Sequence, residues 1–328
     1  MKRTINIIFL LNIIFQNCEI AKTFSQLKPL NIVEKYNFQT NQWEKVTSMP
    51  HAREGASSIV IDNKIYVLGG ETRLNGITDI VEVYDPVEDK WSFVTNMPRA
   101  RKNFSTAFFE NKIYTIGGFN NSGLILEIDI YDVSTNLWSE EVKMIGGNEL
   151  YSDTEINIDD MKISGISLEQ DNELIYIFGC KKTLIYNIIL DEWKDYYFAK
   201  NKKRFYCNYS IMKKINSNIY IIGGMTCEYS PEPNLHICQL LTDRSICESI
   251  GNLPTPRKYF SNVFINDKIY IIGGENEDNS INGNINVYNT QDNLWEKIPS
   301  MLTPRAGLTS VIVNDEIYTI GGYYYVKE

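Results

Sequence analysis

A Gly-Gly pair recurs along this chain, and no other feature constrains its fold as much. The pairs are Gly69-Gly70, Gly117-Gly118, Gly223-Gly224, Gly273-Gly274 and Gly321-Gly322, with a degraded copy at Gly179-Cys180. An Ile-Tyr stands before each: Tyr66, Tyr114, Tyr176, Tyr220, Tyr270 and Tyr318. The steps between first glycines are 48, 62, 44, 50 and 48 residues. A second signal runs between the glycine pairs. Tyr and Trp fall seven apart at Tyr36/Trp43, Tyr84/Trp91, Tyr131/Trp138, Tyr186/Trp193 and Tyr288/Trp295, and Leu240/Cys247 keeps the spacing without the rings. Self-similarity at this period marks an array of small units that stack to bury a shared core.

Each unit reads as strands. In SSIVIDNKIYVLGG, Ser57–Ile61 and Lys64–Leu68 meet at Asp62-Asn63, an Asx pair suited to a tight hairpin. The glycine pair ends the second strand, where close backbone leaves no room for a Cβ. VEVYDP and KWSFV supply a third and an outer fourth strand. The Tyr and Trp are read as core, with the Trp large enough to pack between neighbouring units. The 12% aromatic content largely reflects this repeat.

On these motifs the chain resembles the kelch-repeat β-propeller family, over about residues 31–326. Phrases such as VEVYDPVEDKWSFVTNMPRAR are most like the propeller of the kelch-like proteins. The expected fold is all-β, a six-bladed propeller. The first aromatic motif has no glycine motif before it, and the last glycine motif has no aromatic motif after it. The last blade should therefore be composite, with inner strands Ser310–Val313 and Glu316–Ile320 and outer strands Ile32–Asn37 and Gln42–Val46. Joining the termini removes an open sheet edge. Closure is expected to need nothing before about Leu30.

Met1-Lys2-Arg3 followed by the apolar run Ile5–Phe15 is the pattern of a secretory signal. The run is too short to span a bilayer. The cleavage end is weak, because Glu19 falls at −3 if Ala21 is −1. The domain reading is a signal peptide over 1–21, a linker over 22–30 and the propeller over 31–328. The expected location is secreted, with the cytoplasm as the alternative.

Arg53, Arg101, Arg257 and Arg305 each stand sixteen residues before the first glycine of their pair, and Arg204 stands nineteen before Gly223. The third unit lacks the arginine and has Lys162 nearby. Ring symmetry would set five guanidinium groups around one channel mouth, suited to carboxylates. The kelch-like resemblance likewise implies arginines that hold acidic peptide segments. These five are the candidate partner-binding residues. The opposing reading gives each a scaffold role, capping local carbonyls or pairing with a nearby acid. The long loop Lys143–Ser164, with Glu149, Asp153, Glu155, Asp159 and Asp160, is either an acidic flap or a solvated insertion. Sequons at Asn103, Asn120 and Asn208 are as many as an Asn-rich chain gives by chance.

Cys18 would leave with, or sit at the edge of, the signal, and Cys180, Cys207, Cys227, Cys238 and Cys247 remain in the degenerate half; five is odd, and Cys227 and Cys238 flank one loop and would bridge in an oxidising compartment. No Cys-x-x-Cys pair occurs. The net charge of −9 argues against non-specific nucleic-acid binding. His51 and His236 are the only histidines. They lie in different units, which disfavours a copper-radical oxidase site. Glu228, Glu232 and His236 mimic an iron-binding spacing found in some kelch proteins, with Glu in the middle position. No nucleophile–base pair or phosphate loop appears.

The expectation is a non-enzymatic, monomeric protein-binding propeller without cofactor or membrane span, recognising a partner protein by its inter-blade loops, with an acidic segment as the candidate ligand. The first alternative is an intracellular kelch protein linked to cullin-3 ubiquitination or actin. Kelch-like proteins place BTB and BACK domains before the propeller, and about thirty residues precede Asn31 here. The second alternative is a small-molecule enzyme such as a sugar mutarotase.

Overall fold

The computed structural model describes residues 25–140, 143–145, 167–171, 173–178, 182–197, 211–215, 218–223, 234–240 and 245–327. The expected signal peptide, most of the Lys143–Ser164 loop, Lys162, Arg204, Cys180, Cys207 and Cys227 lie outside these residues.

The fold is an all-β propeller. Its repeating sheet is an antiparallel meander, as in Ser57–Ile61, Lys64–Leu68, Val81–Asp85 and Lys90–Phe93. The hairpin turns explain the local sequence. Asp62 and Asn63 have φ of 50° and 60°, and Asn266-Asp267 and Asn314-Asp315 repeat the arrangement. Two successive left-handed residues make the turn whose twist matches a β-hairpin, and Asn and Asp tolerate that region best.

The expectation of a six-bladed propeller is corrected. Among the described residues five sheets are four-stranded, a further one has five strands, and the others are two-stranded ribbons. In the five-stranded sheet the outer edge is broken into Leu137–Trp138 and Lys143–Met144, both paired to Glu127–Asp132. The composite sheet forms as expected. Val33–Asn37 and Gln42–Val46 from one end of the chain complete Thr309–Val313 and Glu316–Ile320 from the other.

Ser25–Pro29 is not linker: it pairs antiparallel with Tyr323–Lys327, outside the blades. Leu30 is buried, and its N–H donates to Gly322 O at 2.8 Å. The two ends of the described chain are therefore tied twice, once inside a blade and once beyond it.

The core consists of clusters shared between adjacent sheets. Tyr220 and Ile222 of one sheet pack with Ile269, Ile271 and Tyr288 of the next. Val33, Tyr318 and Ile320 pack with Ile65, Val67 and Tyr84. The repeated aromatics have separate tasks. Each Tyr hydroxyl donates to an Asn or Asp five residues on: Asn41 (2.5 Å), Asp89 (2.6 Å), Asn136 (2.6 Å), Asp191 (2.6 Å) and Asn293 (2.8 Å). Those acceptors all have positive φ, so the bond locks the left-handed turn of the outer hairpin. Three Trp indoles reach across to the sheet before. Trp43 donates to Pro299 O (2.8 Å), Trp91 to Thr47 O (2.9 Å) and Trp138 to Thr95 O (3.4 Å).

The glycine pair is where one sheet meets the next. Gly69 has φ +60°, and a Cβ there would lie 2.4 Å from Arg101 O. Gly70 N donates to that same carbonyl at 2.9 Å. The first glycine is thus required by the neighbouring sheet's backbone as well as by its own φ.

Candidate functional site: the channel mouth

The arginines sit beneath the mouth and do not line it. Arg53, Arg101, Arg257 and Arg305 are each 0% exposed. Arg53 donates to Ile80 O, Val67 O and Glu82 Oε2, the last at 2.7 Å. Arg101 reaches Gly117 O at 2.9 Å and Asp129 Oδ2 at 2.6 Å. Arg305 reaches Thr319 O, Thr303 O and Glu34 Oε2 at 2.9 Å. Arg257 bonds Gly273 O, Asn284 O and the side-chain oxygen of Asn286. The expectation of an exposed basic ring is corrected for these four. Their terminal nitrogens donate to strand carbonyls, to three buried acids and, at Arg257, to the Asn286 amide oxygen, which is the scaffold role.

The sequence reading missed the partners. Glu34, Glu82, Asp129 and Asn286 each stand two residues before the motif Tyr, and all are buried. The repeat that lacks the arginine has Leu184 at this position, so both members of the pair are absent together. Burial is the largest influence on these cations. It lowers Arg53 to about 10, against the partial offset from Glu82. It lowers Arg257, beside a neutral amide, to about 10. It also raises the Asp129 carboxyl, a shift that Arg101 and Arg99 only reduce. The desolvation cost of a buried ion pair can exceed the attraction between its charges.

Immediately above each arginine the chain turns through a left-handed residue: Gly55 (φ 64°), Asn103 (52°), Tyr259 (55°) and Gly307 (62°). These four are linked in series. Gly307 N donates to Tyr259 O (2.8 Å), Gly55 N to Gly307 O (2.9 Å) and Asn103 N to Gly55 O (2.8 Å). Three backbone hydrogen bonds therefore join the loops of four repeats in series.

Beside these loops lies a cavity of about 360 Å³, lined among others by Glu54, Lys102, Asn103, Tyr259, Tyr323 and Tyr325. Lys102 Nζ lies 3.3 Å from Glu54 and closer to Glu71. Burial raises the Glu54 carboxyl more than Lys102 lowers it. Burial also acts to lower Lys102, but Glu54 and Glu71 together leave it raised. Tyr323 and Tyr325 both donate to Glu275 Oε2, at 2.6 and 3.0 Å, and Lys258 approaches its other oxygen at 3.2 Å. Burial and then Glu275 push the Tyr325 hydroxyl up to about 12. The mouth is aromatic and polar, with its charges already matched within the chain.

His51 Nδ1 lies 2.8 Å from Glu82 Oε1, as part of the scaffold beneath. His236 lies in the strand Asn234–Leu240, its backbone opposite Ser249. Among the described residues no three His, Cys, Asp or Glu side chains gather as a metal site would require. No helix among them is long and apolar enough to cross a membrane.

Comparison with known proteins agrees with this architecture. A local stretch of 47 residues is 38% identical to Kelch-like protein 23 of Homo sapiens and of Pongo abelii, and 36% identical to that of Mus musculus. It covers 14% of this chain and 8% of each of those proteins. The solved structure of YjhT superposes with a TM-score of 0.67 at 12% identity, over 86% of this chain and 97% of that one. At that identity the likeness shows the fold alone. The kelch motif model matches residues 24–50 and 52–98, and the attractin/LZTR1 β-propeller model matches residues 79–327. With a match over well more than half its length, and the repeat geometry to go with it, this chain belongs to the attractin/LZTR1 β-propeller family and is a kelch-type propeller.

Proposed function

We propose that this protein is a non-enzymatic protein-binding propeller whose six sheets form one ring, and that its partner docks on the channel mouth around Glu54, Lys102, Tyr259 and Tyr325. Kelch-type propellers are generally protein-interaction modules, which gives the class. The observation that carries the site is the 360 Å³ cavity lined by tyrosines and a matched Glu–Lys set. Tyrosines in a polar surround supply large contact area with few rotors to freeze. The burial of four arginines removes the reason to expect an acidic ligand segment. A partner loop with hydrogen-bonding and aromatic groups fits this mouth better.

Secretion as a monomer is part of the same reading, and the pattern of residues 1–21 supports it. The local likeness to Kelch-like protein 23 favours the second reading, an intracellular kelch protein acting with a cullin-3 ligase or actin. Sequencing the N-terminus of the protein exported by a secreting eukaryotic cell separates the two. A product starting near residue 22 supports secretion, and full-length cytosolic protein refutes it.

The docking site is tested with a photo-crosslinking amino acid. It is placed at Tyr325 in one protein and at exposed Leu137 on an outer strand in another. A discrete crosslinked protein from position 325 alone supports the mouth. Equal labelling from both positions refutes it.

A further inference from the structure

The register of one four-stranded sheet places two cysteines where five other sheets have an aromatic pair. In five sheets the directly opposed residues of the third and outer strands are Tyr36↔Trp43, Tyr84↔Trp91, Tyr131↔Trp138, Tyr186↔Trp193 and Tyr288↔Trp295. Their ring centroids lie 5.3, 5.1, 5.2, 4.7 and 5.0 Å apart. In the remaining sheet, Asn234–Leu240 pairs with Ser245–Asn252, and Cys238 stands opposite Cys247. The inner-strand register identifies the position independently. Ile219, next to the motif Tyr220, pairs with Cys238, as Ile269, next to Tyr270, pairs with Tyr288. The seven-residue spacing had pointed to Leu240. The hairpin is two residues longer here, and Leu240 in fact pairs with Ser245.

Directly opposed residues of an antiparallel pair have Cα atoms about 4.5 or 5.5 Å apart. Disulfides span Cα separations of roughly 4.4–6.8 Å. The one irregularity in this ladder, at Leu235/His236, lies outside the pair. We propose that Cys238 and Cys247 form a cross-strand disulfide, which fastens the outer strand of the sheet that lacks the Tyr–Trp contact. Under glutathione disulfide, one protein thiolate attacks a glutathione sulfur and releases one glutathione thiol. The second protein thiolate then resolves the mixed disulfide and releases another. Two electrons pass to glutathione, and the protein product is lighter by two hydrogen atoms.

The test is a digest of the full chain, folded in glutathione redox buffer, alkylated and analysed without reduction. The expected product is the peptide containing Cys238 linked to that containing Cys247. Reduction should lower the denaturation midpoint of the wild type, and Cys238→Ser with Cys247→Ser should abolish that response. Alkylation of both thiols in folded, oxidised protein overturns the proposal. So does a Cys227–Cys238 link. The peptide map of the wild type needs no variant to fold.

Discussion

Replacing Arg305 by Ala tests how the ring is closed. Arg305 and Glu34 come from opposite ends of the chain, and both are fully buried. Burial lowers the pKa of Arg305, and Glu34 offsets this only in part. Truncation leaves the Glu34 carboxylate buried without its cation and removes the donors to Thr303 O and Thr319 O. Removing one partner of a buried pair costs about 3–5 kcal/mol. Folded domains are stable by only about 5–15 kcal/mol, so the loss is a large share. At roughly 2–4 °C per kcal/mol for a chain of this size, the calorimetric midpoint should fall by about 10 °C. Arg257→Ala is the control, because its partner Asn286 is neutral and no charge is left buried. Orphaned polar groups alone cost about 1–3 kcal/mol, so its midpoint should fall by about half as much. Arg305→Met with Glu34→Met removes both charges and should recover most of the loss. The reasoning is refuted if Arg305→Ala costs no more than Arg257→Ala, or if the double replacement is worse than the single.

Gly69→Ala and Gly76→Ala separate steric from conformational cost. Both glycines have positive φ, but only at Gly69 would a Cβ meet a backbone oxygen, while Gly76 has open space. Gly76→Ala should cost about 1–2 kcal/mol for the left-handed backbone. Gly69→Ala should cost clearly more in urea unfolding, and equal costs would contradict the contact with Arg101. Glu54→Gln should change how stability depends on pH. The Glu54 carboxyl is raised in the folded state, so the fold binds the proton more tightly than the unfolded chain does. Wild-type stability therefore falls relative to Glu54→Gln as pH climbs from about 4 to neutrality, and a gap moving the other way would mean Lys102 dominates. Trp43→Phe removes the bond to Pro299 O and should lower stability by about 1 kcal/mol plus a small packing loss; no change would deny the indole its bridging role.

The strands were legible because hairpin turns and ring pairs are local. Asp62-Asn63 set the turn, and the predicted Ser57–Ile61 and Lys64–Leu68 match the structure residue for residue. The function of the arginines was not legible, because their side-chain partners stand on another strand, 28 or 29 positions on in three repeats and near the other end of the chain in the fourth. Glu34 and Arg305 are 271 positions apart. The acid two residues before Tyr36, Tyr84 and Tyr131, and the Asn before Tyr288, were visible, but only the strand order brings them under the arginines. The Ser25–Pro29 pairing was hidden because its partner Tyr323–Lys327 follows the last motif and repeats nothing. Spacing also misplaced the third aromatic position of the degenerate half, where a longer hairpin moved it from Leu240 to Cys238. The mouth itself is built from residues next to the motifs, such as Glu54, Lys102 and Tyr259, which differ from one repeat to the next and so carry no repeat signal.

The central claim is that partners bind at the mouth while the arginines beneath it hold the scaffold. The direct measurement is the affinity of the protein crosslinked from position 325 for three folded chains. These are the wild type, Tyr259→Ala with Tyr325→Ala, and Arg305→Met with Glu34→Met. The account predicts at least a tenfold loss for the tyrosine variant and an unchanged affinity for the buried-pair variant, because two anchoring aromatics are each worth 1 kcal/mol or more. Unchanged binding by the tyrosine variant, with loss in the buried-pair variant, would contradict it.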